Sequence, residues 1–161
     1  LDIIALLNQR NIKNECILPC SYGSSEYLQK LKQTLLGHQT NLHVIENFLP
    51  QAEYATLLCS CRVGIFGHLR QQAVGNILIC MLHGSKVYLY RDSIAYKYFS
   101  KAGYYVYTIE DDLTDNHIAL PLSKPEREQN KSLILSHFLQ SRVIEKLDDK
   151  LRAIISISKM I

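Results

Sequence analysis

Apolar residues recur along this chain in two rhythms that take turns. Ile3, Ile4, Leu6 and Leu7 fall on one broad helical face ahead of a polar break at residues 11–14, so the chain opens on an amphipathic helix. Cys16-Ile17-Leu18-Pro19-Cys20 is a short apolar run ending in Ser21-Tyr22-Gly23, the pattern of a strand that delivers a glycine-containing loop. Ser24 or Ser25 is placed to cap the next helix. In it Tyr27, Leu28, Leu31, Leu35 and Leu36 face inward, Lys30 and Lys32 face water, and Gly37 closes it. Leu42, Val44, Ile45 and Phe48 form a second strand-like run that stops near Leu49, because Pro50 has no N–H to continue a ladder. Pro50 suits the first turn of a helix running through Glu53, Tyr54, Leu57 and Leu58 to Cys61.

The densest pattern lies in residues 62–92. Val63-Gly64-Ile65-Phe66 reads as a strand, residues 67–72 as a polar turn, and residues 73–82 as an almost wholly apolar, buried helix. Gly84 is a natural C-cap, and Lys86-Val87-Tyr88-Leu89-Tyr90 supplies a further strand rich in β-branched and aromatic residues. Residues 93–102 predict a short helix ended by Gly103, and Tyr104-Tyr105-Val106-Tyr107-Thr108-Ile109 a last strand. Glu110-Asp111-Asp112 reads as a solvated turn, residues 113–125 as a linker. Helical spacing returns at Glu126 and runs to Ile161, predicting two helices broken near Gln140-Ser141. Strands alternating with helices predict a doubly wound parallel α/β sheet: one domain over residues 1–122, with C-terminal helices over residues 123–161 packed on it. The apolar end, Ile154, Ile155, Ile157, Met160 and Ile161, needs a surface to pack on.

Composition narrows the class. With 47% hydrophobic and 20% charged residues the chain is globular, and its net charge of +3 is spread too evenly for a nucleic-acid binder. No apolar run reaches the roughly 18 residues of a membrane span, so a soluble protein is expected, and a cytoplasmic one if its cysteines are reduced. Leu1 begins as if in mid-helix, which suggests a fragment. The five cysteines are odd in number, and their C-x3-C and C-x-C spacings lack a nearby histidine. Buried reduced thiols are expected, and no metal.

Candidate chemistry gathers in the loops after the strands. At residues 67–76, Gly67 and Gly75 allow close backbone approach, Arg70 can pair with a phosphate in two-pronged fashion, and Gln71, Gln72 and Asn76 offer amides. The set suits a diphosphate at a helix N-terminus; an ordinary turn with a solvated arginine reads equally well. Neither a G-x4-G-K-[ST] loop nor a G-x-G-x-x-G fingerprint occurs. Ser21, Tyr22 and Gly23 read in isolation as a plain turn, but offer a hydroxyl, a stacking ring and a backbone N–H. Phe48 and Leu49 offer a surface for a planar base, or simply core. A doubly wound sheet aligns its strand ends, so three separately weak loops would line one crevice. His68 sits in that crevice, for phosphate contact or proton transfer, or as a solvated loop residue.

Ile17-Leu18-Pro19-Cys20-Ser21-Tyr22-Gly23, Glu53-Tyr54 with Leu57-Leu58 and Cys61, and Arg70-Gln71-Gln72-Ala73 with Gly75 and Gly84 resemble the C-terminal half of the bacterial 4-acetamido-4,6-dideoxygalactose (Fuc4NAc) transferase family. That family builds enterobacterial common antigen on a lipid carrier. The likeness covers about residues 1–112 and is most specific at Arg-Gln-Gln-x-x-Gly. It implies a Rossmann-like donor domain of a GT-B glycosyltransferase that binds a dTDP- or UDP-linked sugar without cofactor or metal. Ser21, Tyr22, Gly23, Phe48, Leu49, Arg70, Gln71, Gln72, Gly75 and Asn76 would surround the donor. The lipid-linked or polysaccharide acceptor would belong to an N-terminal domain outside this chain, with peripheral association at the inner face of the bacterial inner membrane. The resemblance further implies a strand and glycine loop before Leu1, and this half alone would not catalyse transfer. It departs from many such enzymes in having no acid in residues 77–82, so sugar contacts would come from amides. The alternative is a non-catalytic, flavodoxin-like nucleotide-binding or interaction module.

Overall fold

The strand that comprises residues Lys86–Leu89 (β4) is buried at all four positions, and the rest of the fold is layered on its two faces. A computed structural model describes residues 2–21, 25–35 and 41–139. Ahead of β4 lie α1 (Asp2–Gln9), β1 (Cys16–Pro19), α2 (Ser25–Leu35), β2 (Leu42–Ile45), α3 (Gln51–Ser60), β3 (Val63–Phe66) and α4 (Val74–Leu82). After it come α5 (Ile94–Lys101), β5 (Tyr107–Thr108), α6 (Asp115–Ala119) and α7 (Lys124–Phe138). Side chains alternate along β4, as pleating requires. Val87 and Leu89 enter a core with Leu58 of α3, Ile77, Cys80 and Met81 of α4, Phe99 of α5 and Ile134 of α7. Tyr88 enters the opposite core with Leu7, Ile12, Ile109, Leu113 and Ile118, contributed chiefly by α1, α6 and the segments beside them. All observed strand pairs are parallel. Parallel strands with helices on both faces make this a Rossmann-like α/β fold with a C-terminal helix.

The pairing falls in two parts: β1 with β2, and β3 with β4 and β5. The last strand is shorter than its six-residue pattern predicts. Asn130 of α7 is fully buried; its side chain accepts from Tyr105 N–H at 2.8 Å and donates to Tyr105 C=O at 3.1 Å. The amide thereby replaces a strand neighbour, and Tyr104 turns into the core instead of joining the sheet. Residues 113–125 are not a plain linker. Thr114 caps α6, its hydroxyl accepting from His117 N–H, and Ser123 with Glu126 forms a reciprocal capping box that starts α7 two residues earlier than its apolar spacing suggests.

Glu110-Asp111-Asp112 is a turn whose acids bind their own neighbourhood. Glu110 accepts from Arg91 N–H, Asp111 pairs with Arg91, and Asp112 accepts from Thr108 N–H and hydroxyl at 2.7 and 2.9 Å. The cysteines are free, but Cys80 is the buried one; Cys16, Cys20, Cys59 and Cys61 are half-buried. Burial pushes the Cys80 thiol up to about 12. No helix among the described residues is long and apolar enough to cross a membrane. The expected cap at Ser24, the stop at Gly37 and the second C-terminal helix lie outside the described residues.

Candidate functional site

β3 ends at Phe66, and the chain turns through residues 67–73 before α4 begins. This turn is held at two points. A methyl group at Gly67 would lie 3.1 Å from Ile3 Cγ1 of α1 and 3.5 Å from the Tyr90 ring, so glycine permits the close approach. Further on, the Leu69 carbonyl accepts from Ile94 N–H at 3.2 Å, tying the turn to the start of α5. Past these ties Arg70, Gln71 and Gln72 are exposed and have no side-chain partner among the described residues. Ala73 then takes the left-handed conformation (φ 54°, ψ 24°) and gives α4 no side-chain cap.

The consequence is an uncapped helix start. Ile77 N–H is the first to bond back, to the Ala73 carbonyl at 3.0 Å, so the N–H groups of Val74, Gly75 and Asn76 precede the helical ladder. Gly75 is exposed, with open space where a Cβ would stand. Helix dipole and free N–H groups favour an anion here. The anchor is sound: Ile77, Cys80 and Met81 are buried, although Leu82 is turned to the surface.

Asn76 is partly committed elsewhere. Its amide donates to Tyr54 Oη of α3 at 3.1 Å, leaving its Oδ1 available. Burial raises the Tyr54 hydroxyl above its ordinary range, so it remains protonated at neutral pH. Tyr54 thus stands beside the candidate site, although helical spacing alone assigns it to the core. His68 is half-buried, its Nδ1 enclosed without a hydrogen-bond partner among the described residues, and its ring lies 6.5 Å from Phe66. A freely solvated histidine does not describe it.

A second group of candidates leaves the β1–β2 pair. Cys20 N–H donates to Ile45 C=O at 2.8 Å, which carries the pairing past the strand ends and sets Ser21 beside the segment that follows β2. Phe48 is 67% exposed and is not a core residue; Leu49 is half-buried. Tyr22 and Gly23 lie outside the described residues. The structure therefore brings Arg70, Gln71, Gln72, Gly75 and Asn76 together on one turn and helix start, and Ser21 near the Phe48 segment on another edge. No strand pairing among the described residues joins the two groups.

The opposite, amino edge of β4 is different. Lys86 is buried, donates to the His117 carbonyl at 2.7 Å and lies 5.3 Å from the centre of the Tyr107 ring. Tyr88 Oη meets His117 Nδ1 at 2.7 Å, and Tyr107 donates to Glu126 at 3.2 Å. Burial, then the charge of Lys86, pull His117 below its ordinary value; burial pulls Lys86 down. The Ser123 hydroxyl chiefly holds Glu126 below the usual carboxylate range. These bonds tie β4 to α6 and α7. Beside them a cleft of about 200 Å³ is lined by Cys59, Arg62, His83, Ser85, Leu120 and Arg127. Arg62 there is already bonded to the Ala119 carbonyl. Among the described residues no group of three or more His, Cys, Asp or Glu side chains is placed to hold a metal ion.

Comparison with known proteins adds no relative: no family model matches the chain, nor does any curated protein or solved structure.

Proposed function

We propose that this chain is the donor-binding part of a glycosyltransferase that takes a nucleotide-diphosphate sugar, dTDP- or UDP-linked, and delivers a deoxy-amino sugar to a lipid-linked or polysaccharide acceptor held elsewhere in the protein. One observation carries the reading. Arg70, Gln71 and Gln72 stand exposed and unpaired among the described residues, directly before an uncapped helix start. A guanidinium, two amides and free backbone N–H groups form a cradle for a diphosphate.

The chemistry follows from where charge grows. As the sugar–phosphate bond breaks, negative charge builds on the leaving diphosphate, and fixed donors aimed at it lower the barrier without reorganising. Arg70 supplies the full charge; the first turn of α4 supplies the dipole. Phe48, exposed after β2, offers a face for a base or sugar. The acceptor and the group that deprotonates it belong to another part of the protein, peripheral to the cytoplasmic face of a bacterial membrane.

Titration of the protein with dTDP and UDP tests this reading. Saturable binding is expected, weakened about 10- to 100-fold by Arg70→Ala, in line with the roughly 1.5–3 kcal/mol of a hydrogen bond to a charged group. Absence of binding by either nucleotide would remove the support for a transferase.

A further inference from the structure

The amino edge of the sheet commits its polar side chains to the fold with a few exceptions, and the exceptions share one cleft. Arg62 just before β3, His83 and Gly84 at the end of α4, and Arg127 in the first turn of α7 line the space of about 200 Å³. No acidic side chain lines it among the described residues. Arg62 gives one hydrogen bond, from Nη2 to the Ala119 carbonyl at 3.0 Å. The Arg127 guanidinium and the His83 ring have no partner among the described residues, and neither arginine has an ion pair among them.

Arg127 is held in place by its stem. A Cβ at Gly84 would lie 2.8 Å from Arg127 Cδ and 3.4 Å from Cγ, so the side chain runs directly over the backbone of that glycine. Gly84 has φ 84° and follows the last turn of α4, so one residue supplies both the helix stop and the floor beneath the arginine. The fold fixes the aliphatic part and leaves the charged end open. The first turn of a helix is otherwise a poor place for a cation, because the N-terminus carries partial positive charge.

Basic side chains beside the C-terminal ends of helices commonly cap free carbonyls. Here those carbonyls are taken. At the end of α4, Ile79, Cys80 and Met81 accept from the N–H groups of His83, Ser85 and Gly84. At the end of α3, Leu58 accepts from Cys61 N–H, Leu57 from the Ser60 hydroxyl, and Cys61 from the Ser85 hydroxyl at 2.6 Å. Each helix end still carries roughly half a negative charge, which lets two guanidinium groups approach one cleft without neutralising them. The cleft is left with donors and positive charge to spare.

We propose that this cleft is a second anion site, which takes a phosphate group, free or carried on a small molecule, between Arg62, Arg127 and His83. A phosphate monoester carries about −1.5 to −2 charges at pH 7 and three acceptor oxygens, a match for two forked guanidinium groups, whereas a carboxylate satisfies one. The space is smaller than the roughly 300 Å³ at which pockets for drug-sized ligands begin, so a nucleotide-diphosphate sugar is too large for it. Leu120, exposed at the rim, gives a short organic tail an apolar contact. The cleft stands at one end of α4 and the Arg70 turn at the other, separated by roughly 13 Å for a helix of this length. One diphosphate cannot serve both, and the cleft does not depend on the nucleotide reading.

Titration with inorganic phosphate, glycerol phosphate and acetate, followed residue by residue by NMR at an ionic strength held constant with chloride, tests the site. The amides of Gly84 and Ser85 and the Arg127 Nε–H are expected to shift saturably with both phosphates, and acetate to bind at least about 10-fold more weakly. Arg127→Gln should weaken phosphate binding about 10-fold or more, as the loss of a charged hydrogen bond requires. Arg127→Lys keeps the stem over Gly84 and the charge but not the fork, and should fall between the parent and the glutamine variant. Tighter binding of glycerol phosphate than of inorganic phosphate supports an organic ligand lying along Leu120; equal binding supports free phosphate. Shifts that rise without saturating, a response confined to Gly75 and Asn76, acetate binding as tight as phosphate, or an affinity that both Arg127 variants leave unchanged overturns the proposal. No nucleotide is present in the measurement, so its failure and that of the dTDP and UDP titration are separate results.

Discussion

The two edges of the β3–β4–β5 sheet use polar residues in opposite ways. At the amino edge nearly every polar side chain is committed: Lys86 to the His117 carbonyl, Tyr88 to the His117 ring, Tyr107 to Glu126, Glu126 to the start of α7. At the carboxyl edge the acids after β5 are committed as well, to Arg91 and Thr108, but Arg70, Gln71 and Gln72 after β3 meet no protein partner among the described residues, and the helix behind them is uncapped. Perturbed titration alone would direct attention to the amino edge, where burial shifts Lys86, Tyr88, Tyr107 and His117. Those shifts record groups the fold uses to hold α6 and α7. Recognition chemistry is better sought where donors remain free.

The comparison breaks if a committed residue proves dispensable to stability. Asn130→Ala leaves both main-chain groups of Tyr105 without their partner. Loss of buried hydrogen bonds of this kind costs about 1–3 kcal/mol each, so a stability loss of about 2–6 kcal/mol is expected by urea denaturation, with no change in nucleotide affinity beyond the folded fraction. Arg70→Ala is the converse. Its stability should stay within about 0.5 kcal/mol of the parent, while dTDP or UDP affinity falls as described above. A variant that loses stability and affinity together would mean that Arg70 belongs to the fold, and the distinction between the edges would fail.

Local pattern was a good guide to element type and a poor one to everything set by distant residues. The apolar run that becomes α4, the alternation within β4 and the proline before α3 act through near neighbours, and each element stands close to where its spacing places it. β5 is cut short by Asn130, 25 residues away, which no local window contains. α6 is five residues long, too short for a helical period, and its available signal was Thr114 ahead of Asp115 as a cap. The break between β1 and β3 concerns strand order, which neighbouring residues do not encode. At the site, the polarity of Arg70, Gln71 and Gln72 foretold their exposure. Phe48 has the same chemistry as a core residue, and tertiary structure alone shows it outside. The bond from Asn76 to Tyr54 joins α4 to α3 and was equally hidden.

The smallest expected effect lies in the pH dependence of the committed edge. His117 faces Tyr88 Oη, Lys86, Asp112 and Glu126, and burial with the Lys86 charge holds its pKa below the ordinary 6.5. Between that value and its folded pKa the unfolded chain binds a proton that the folded chain does not, so stability must rise with pH. The contribution is complete above about pH 6.5 and is lost as pH falls through the folded value. Glu126 has a depressed pKa too, but its ordinary value is 4.5, and its loss begins in that lower range. Denaturation midpoints measured from pH 7.5 down to 5 should therefore decline in the parent and flatten in His117→Gln. An equal slope in the variant would assign the decline to other groups, and the Tyr88–His117 contact would no longer count among the ties that hold this edge.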